Sequence, residues 1–177
     1  MRVRLVSVCG CAAALGFAPG ALGDVEPISL WSLPFDNKVC EIEIDGVALQ
    51  GDEADDTIAG TERSDLLRGG GGADRLRGEE GANCLYGQFG QDRVRGGDGD
   101  DQIWGNPGRD RVIAGAGNDL VRTGPGKDIV KGGPGHDGIV AQGGGADTVS
   151  CGRGFDRAIV DRKDEVSGGC ERLFVAR

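Results

Sequence analysis

Twelve consecutive nonapeptides run from Gly51 to Ile159, with a single one-residue slip near Ala141, and no other feature of the chain constrains its fold as tightly. The sixth position of each is acidic or an amide: Asp56, Asp65, Asp74, Asn83, Asp92, Asp101, Asp110, Asp119, Asp128, Asp137, Asp147 and Asp156. The eighth is aliphatic: Ile58, Leu67, Leu76, Leu85, Val94, Ile103, Val112, Val121, Val130, Ile139, Val149 and Ala158. Neither the period of a packed helix nor the alternation of a lone strand leaves a nine-residue beat, whereas stacked structural repeats do.

Each position then has its own task. Residues seven to nine form a very short strand with alternating side chains, so the eighth points inward and its two neighbours face solvent. The glycine-rich first six residues permit tight turns that aim carbonyl oxygens inward. Two nonapeptides make one coil, and turns two repeats apart stack on the same edge. One edge carries Asp56, Asp74, Asp92, Asp110, Asp128 and Asp147, and the other Asp65, Asn83, Asp101, Asp119, Asp137 and Asp156. Aromatic residues are only 5% of the chain, too few for an ordinary globular core, so regular turns must replace bulky packing. The glycines have no collagen-like period, and a flexible linker has no reason to keep an aliphatic residue in every repeat.

The formal net charge is −9, which argues against a nucleic-acid partner. The carboxylates recur in register rather than forming the block of a disordered acidic tail, so divalent cations are their natural counter-charge. Two aspartates and several carbonyl oxygens from successive turns can enclose one ion. Calcium suits that donor set, since it accepts about 6–8 oxygens in flexible geometry while magnesium demands a tighter octahedron. The competing reading is a metal-free β-helix whose Asp-Gly turns merely cap strands.

Three repeats carry a complete motif: Gly69-Gly70-Gly71-Gly72-Ala73-Asp74-Arg75-Leu76-Arg77, Gly96-Gly97-Asp98-Gly99-Asp100-Asp101-Gln102-Ile103-Trp104 and Gly132-Gly133-Pro134-Gly135-His136-Asp137-Gly138-Ile139-Val140. On these residues the array resembles the RTX, or haemolysin-type, calcium-binding repeat family. The resemblance implies an all-β fold, a right-handed parallel β-roll with calcium between its turns. The ending, Cys151-Gly152-Arg153-Gly154-Phe155-Asp156 with Val160-Asp161-Arg162 and Cys170-Glu171, also resembles exported bacterial proteins built mostly of this repeat. Departures mark weaker turns. Ala54 and Arg63 replace the fourth-position glycine before Asp56 and Asp65, Asn83 brings no charge, and an extra Ala141 disturbs the turn leading to Asp147. The strongest ligand candidates are Asp74, Asp92, Asp110 and Asp128 on one edge and Asp101, Asp119 and Asp137 on the other, with Asp56, Asp65, Asp147 and Asp156 as further candidates.

The flanks differ in composition. Residues 1–23 read as an export signal, with Arg2 and Arg4, an apolar stretch from Leu5 to Phe17, and Ala21-Leu22-Gly23 before Asp24. Lipid attachment at Cys11 is an alternative that would leave a shorter apolar region. The expected location is secreted, and the remaining Cys40, Cys84, Cys151 and Cys170 suit an oxidising compartment. Four cysteines allow three pairings. Cys40 with Cys84 and Cys151 with Cys170 is favoured, because each bond fastens one flank to the array. Residues 24–50 are expected to form an N-terminal cap with Trp31, Leu33 and Phe35, followed by the alternating Glu41-Ile42-Glu43-Ile44-Asp45. Residues 51–159 form the roll, and 160–177 a C-terminal cap with Val166, Leu173 and Phe174.

Outward positions carry a second pattern. Arg75, Arg93 and Arg111 occupy position seven of alternate repeats and would stack about 4.8 Å apart; Arg68, Arg77, Arg95, Arg122 and Lys131 occupy position nine. Such a strip either guards a sheet face against aggregation or binds anionic polysaccharide. No catalytic residues are proposed: His136 reads as a solvent-facing turn residue, and the repeated carboxylates suit metal rather than a glycosidase pair. No apolar or amphipathic segment suits membrane insertion. The function expected is a secreted calcium-binding module with a structural, adhesive or matrix role, and not an enzyme. The alternative is a carbohydrate-active enzyme or its polysaccharide-binding accessory module.

Overall fold

The computed structural model describes residues 4–5, 40 and 42–176. Trp31, Leu33, Phe35 and Glu41 lie outside the described residues, as does the proposed signal segment apart from β1 (Arg4–Leu5), which pairs antiparallel with Leu49 and Gln50. Every other strand pairing is parallel, and the chain winds as a two-sheet solenoid. One sheet stacks β2 (Ala48–Gln50), β4 (Leu66–Gly72), β6 (Cys84–Gly90), β8 (Gln102–Trp104), β10 (Leu120–Arg122), β12 (Gly138–Ala141), β14 (Arg157–Val160) and β16 (Arg172–Val175). The facing sheet stacks β3 (Thr57–Ala59), β5 (Arg75–Glu80), β7 (Arg93–Asp98), β9 (Arg111–Ala116), β11 (Ile129–Pro134), β13 (Thr148–Arg153) and β15 (Glu165–Ser167). Successive repeats therefore alternate between sheets.

Register follows the sequence period. Leu67 lies beside Leu85, then Ile103, Val121 and Ile139, while Ile58, Leu76, Val94, Val112 and Val130 run along the other sheet. All twelve eighth-position aliphatics are at most 2% exposed, so one thin apolar column fills the roll. Several strands run past position nine into the turn, as β4 does through Gly72. They can do so because parallel neighbours in register share ladder hydrogen bonds even where the backbone is unusual. Positions two and four adopt that unusual backbone in most repeats: in the one ending at Trp104 they are Gly97 and Gly99, with φ of 138° and 127°. At position two Glu79 and Gln88 hold φ of 76° and 73°, conformations that strain a side chain with a Cβ.

Both ends extend the coil beyond the twelve repeats. β2 precedes Gly51 in full register, and Val47 and Leu49 pack against the column, while Ile42 and Ile44 are half-buried between exposed Glu43 and Asp45 without forming a strand. After Ile159, β15 and β16 add another rung to each sheet. Val166 packs on the core, whereas Leu173 and Phe174 stay 46% and 55% exposed. The extra residue expected at Ala141 falls instead in the turn between Ala141 and Asp147. Ala141 keeps ladder register with Val160 and is buried, so the insertion is absorbed by the exposed turn that follows it. Cys40 is bonded to Cys84 and Cys151 to Cys170, with Cα separations of 5.9 and 5.3 Å.

Candidate metal rows along the two edges

Position six sits where the strand alternation turns a side chain inward, so the acidic residues enter the roll instead of facing water. Asp56 is 6% exposed and the other eleven sixth-position residues are at most 2%. One carboxylate oxygen is explained by the protein itself. Along the first edge the backbone N–H groups of Asp56, Asp74, Asp92, Asp110 and Asp128 each donate to Oδ1 of the residue one coil ahead, at 2.8–2.9 Å. Along the second edge Asp65, Asn83, Asp101, Asp119 and Asp137 do the same at 2.8–3.0 Å. The ladders end on residues that the nine-residue period does not reveal: Asp147 donates to Asp164 Oδ1, and Asp156 to Glu171 Oε2. Their spacings of 17 and 15 residues fall outside the 18-residue coil.

The second oxygen is not explained by the protein. Oδ2 of Asp74, Asp92, Asp110 and Asp128 on one edge, and of Asp101, Asp119, Asp137 and Asp156 on the other, is buried without a hydrogen-bond partner. Eight buried, unpaired carboxylate oxygens carry a large desolvation penalty unless something cationic meets them. No internal side chain does so, for the sole ion pair among the described residues is Arg63 with Asp45 on the surface. Burial pushes the Asp101, Asp110 and Asp119 carboxyls up to about 7, partly opposed by the N–H from the preceding coil and reinforced by acidic neighbours. Asp74, Asp137 and Asp147 are raised to about 6 for the same first cause, and Asp92 and Asp128 are raised as well.

Glycine shapes the space beside several of the orphaned oxygens. A Cβ added to Gly69, Gly87, Gly96 or Gly105 would collide both with Oδ2 of Asp74, Asp92, Asp101 or Asp110 and with a main-chain carbonyl of the next coil. At these turns first-position glycine keeps a cradle in which a carboxylate and a carbonyl face the same point, as Gly51 and Gly60 also do beside Asp56 and Asp65, whereas Ala114, Thr123 and Cys151 hold position one before Asp119, Asp128 and Asp156. Among the described residues no three His, Cys, Asp or Glu side chains converge, so carbonyls must supply the remaining donors. A hard oxygen-seeking cation matches such a set; zinc, which favours nitrogen and sulfur, does not.

The first two turns differ. Asp56 Oδ2 accepts the Asp52 N–H at 2.9 Å, and Asp65 Oδ2 accepts both the N–H and hydroxyl of Thr61. Lacking glycine at position four, with Ala54 and Arg63 there instead, these turns fold back on their own aspartate. Asn83 is also satisfied, its Nδ2 donating to the Glu80 and Gly81 carbonyls. Asp147 lies on the first edge with Oδ1 in the ladder. His136 is a link in an outer ladder: its N–H donates to Asn118 Oδ1, and its Nδ1 accepts the Phe155 N–H.

The outward cations divide between the sheets. Arg75, Arg93 and Arg111 are direct neighbours in register, as are Arg77 and Arg95, and Lys131 joins them on the same exposed sheet face. Arg68 and Arg122 belong instead to the opposite sheet, flanking the stacked rings of Tyr86 and Trp104, whose centroids are 4.6 Å apart. Beside the first edge, Arg93, Arg109 and Arg111 line an open groove of about 650 Å³.

Residues 50–84, 86–121 and 104–139 match the family described as the RTX calcium-binding nonapeptide repeat (4 copies). Comparison with curated proteins finds none that matches this chain.

Proposed function

Because the chain belongs to the family of RTX calcium-binding nonapeptide-repeat proteins, we propose that it is a secreted module which calcium folds into a rigid roll for structural, adhesive or matrix interactions. One observation carries the reading: eight buried Asp Oδ2 atoms lie in register along two edges with no cationic partner inside the roll. Asp74, Asp92, Asp110 and Asp128, with Asp101, Asp119, Asp137 and Asp156, would hold the ions together with main-chain carbonyls. Calcium supplies the positive charge that lets these carboxylates stay ionised while buried. The chain's own contribution is the N–H ladder, which fixes one oxygen of each and leaves the other facing the cradle. Asp56, Asp65 and Asp147 stand outside this strongest set. The two disulfides support an oxidising, extracellular setting, and the protein acts without turnover.

The partner is an anionic polysaccharide of the surrounding matrix, in line with the accessory-module reading. Support comes from the sheet built on β5, β7, β9 and β11, where Arg75, Arg77, Arg93, Arg95, Arg111 and Lys131 are all exposed and make no ion pair among the described residues. Like charges directly opposite on neighbouring strands destabilise a sheet, so a face of this kind gains from a polyanion. The test is retention on a polyuronate column of calcium-loaded wild type and of the Arg75→Gln, Arg93→Gln, Arg111→Gln triple variant. Retention that falls in the variant and weakens with salt supports the partner, since exposed attractions are screened over about 8 Å at physiological ionic strength. Equal retention rejects it and leaves the calcium roll standing.

A further inference from the structure

We infer that Asn83 takes the place of a calcium ion: its side-chain amide closes the turn Gly78–Asn83 from within, and that turn holds no cation. Two observations meet on this residue. The Asp65 N–H donates to the side-chain oxygen of Asn83 at 2.9 Å, which fixes the amide orientation, because an N–H needs an acceptor there. Nδ2 then lies on the branch where the fully conforming aspartates carry an orphaned Oδ2, and it donates to the Glu80 and Gly81 carbonyls at 3.1 and 3.0 Å. The space it faces is the same cradle. A Cβ added to Gly78 would collide with Asn83 Nδ2 and with the Gly96 carbonyl, just as one on Gly96 would meet Asp101 Oδ2 and the Ala114 carbonyl.

The chemistry of the substitution explains why one atom's change suffices. In an aspartate turn the carboxylate and the carbonyls are all acceptors, so they repel one another until a cation joins them. The amide brings two donors to the same place, pairs with the carbonyls directly, and introduces no buried charge. Its N–H groups also point the positive end of the dipole at the place an ion would need, which keeps the ion out. The second-edge turns 60–65 and 78–83 are therefore free of the metal requirement, since Asp65 is already satisfied by Thr61. The adjacent Cys84 is tied to Cys40, so this level of the roll is closed by covalent and neutral contacts.

This inference rests on the calcium reading, and the experiment separates the two. The full chain with its disulfides intact is prepared as wild type, Asn83→Asp and Asn83→Ala. Each is equilibrated with calcium and freed of unbound ion, then assayed for metal content and denaturation midpoint. Wild type that binds no calcium sinks the calcium reading itself. With wild type loaded, Asn83→Asp is expected to bind at least one ion more per chain. Asn83→Ala is expected to keep the wild-type number with a lower midpoint, having lost the amide but no ligand. An unchanged count in Asn83→Asp overturns the inference. So does loss of an ion in Asn83→Ala, which would make Asn83 a ligand, and that variant decides the matter even where Asn83→Asp does not fold.

Discussion

Replacing Asp110 with Ala and Asp56 with Ala separates an aspartate held for a cation from one held by its own turn. Asp110 Oδ1 accepts the buried Asp92 N–H at 2.9 Å, and its Oδ2 has no protein partner. The alanine leaves that N–H unpaired, a loss of about 1–3 kcal/mol before any effect on metal. It also strips an oxygen from the middle of the first-edge row, so at saturating calcium the variant should bind at least one ion fewer per chain. Asp56 has a different position: its Oδ2 already accepts the partly buried Asp52 N–H, so truncation costs about 0.5–1.5 kcal/mol with no change in metal content. Asp110→Asn completes the set. It retains the acceptor for Asp92 while replacing Oδ2 by an amide nitrogen, so it should lose metal like the alanine but less stability. Metal analysis and denaturant melts, in calcium and in chelator, read both quantities. Equal ion loss from Asp56→Ala and Asp110→Ala, or a full complement in Asp110→Asn, refutes the reasoning.

Three further outcomes are expected. The Asp carboxyls raised to about 6–7 bind protons in the folded state that the unfolded chain has already released, so stability of the calcium-free roll falls as pH rises from about 4 through 7. Calcium-free protein should then show more β signal at pH 5 than at pH 7.5, and an increase with pH contradicts the assignment. Glu79→Gly should raise the stability of the calcium form by about 1 kcal/mol, because φ of 76° strains a residue with a Cβ; an unchanged or lower midpoint counts against strain there. Removing the Cys151–Cys170 bond with a double serine variant should lower stability by about 3 kcal/mol at constant metal content, the chain-entropy value for a short loop.

Much of this molecule is legible in its sequence because the period is the structure. The inward aliphatic column, the parallel register and the burial of the sixth-position residues all follow from repeating one nonapeptide around a coil. Legibility fails where a residue keeps its place but loses the motif. Val47 sits where an aspartate belongs, which hides the half-coil ending in β2, although its N–H still joins the ladder by donating to Asp65 Oδ1. Asp164 and Glu171 end the ladders at irregular spacings because the last coil is shortened. Thr61 gives no signal as the partner of Asp65, since only the folded turn brings its hydroxyl and N–H to that carboxylate. Asn83 is visible as a missing charge, but the carbonyls its amide captures are not.

Calcium titration of the disulfide-intact chain, followed together by circular dichroism and metal analysis, tests the central claim most directly. Chelated protein at neutral pH should be largely disordered, because eight orphaned carboxylate oxygens oppose compaction, and β signal should appear in step with bound calcium as the ion reaches millimolar levels. A chelated protein with the same β signal and the same melting temperature as the calcium-loaded form contradicts the account.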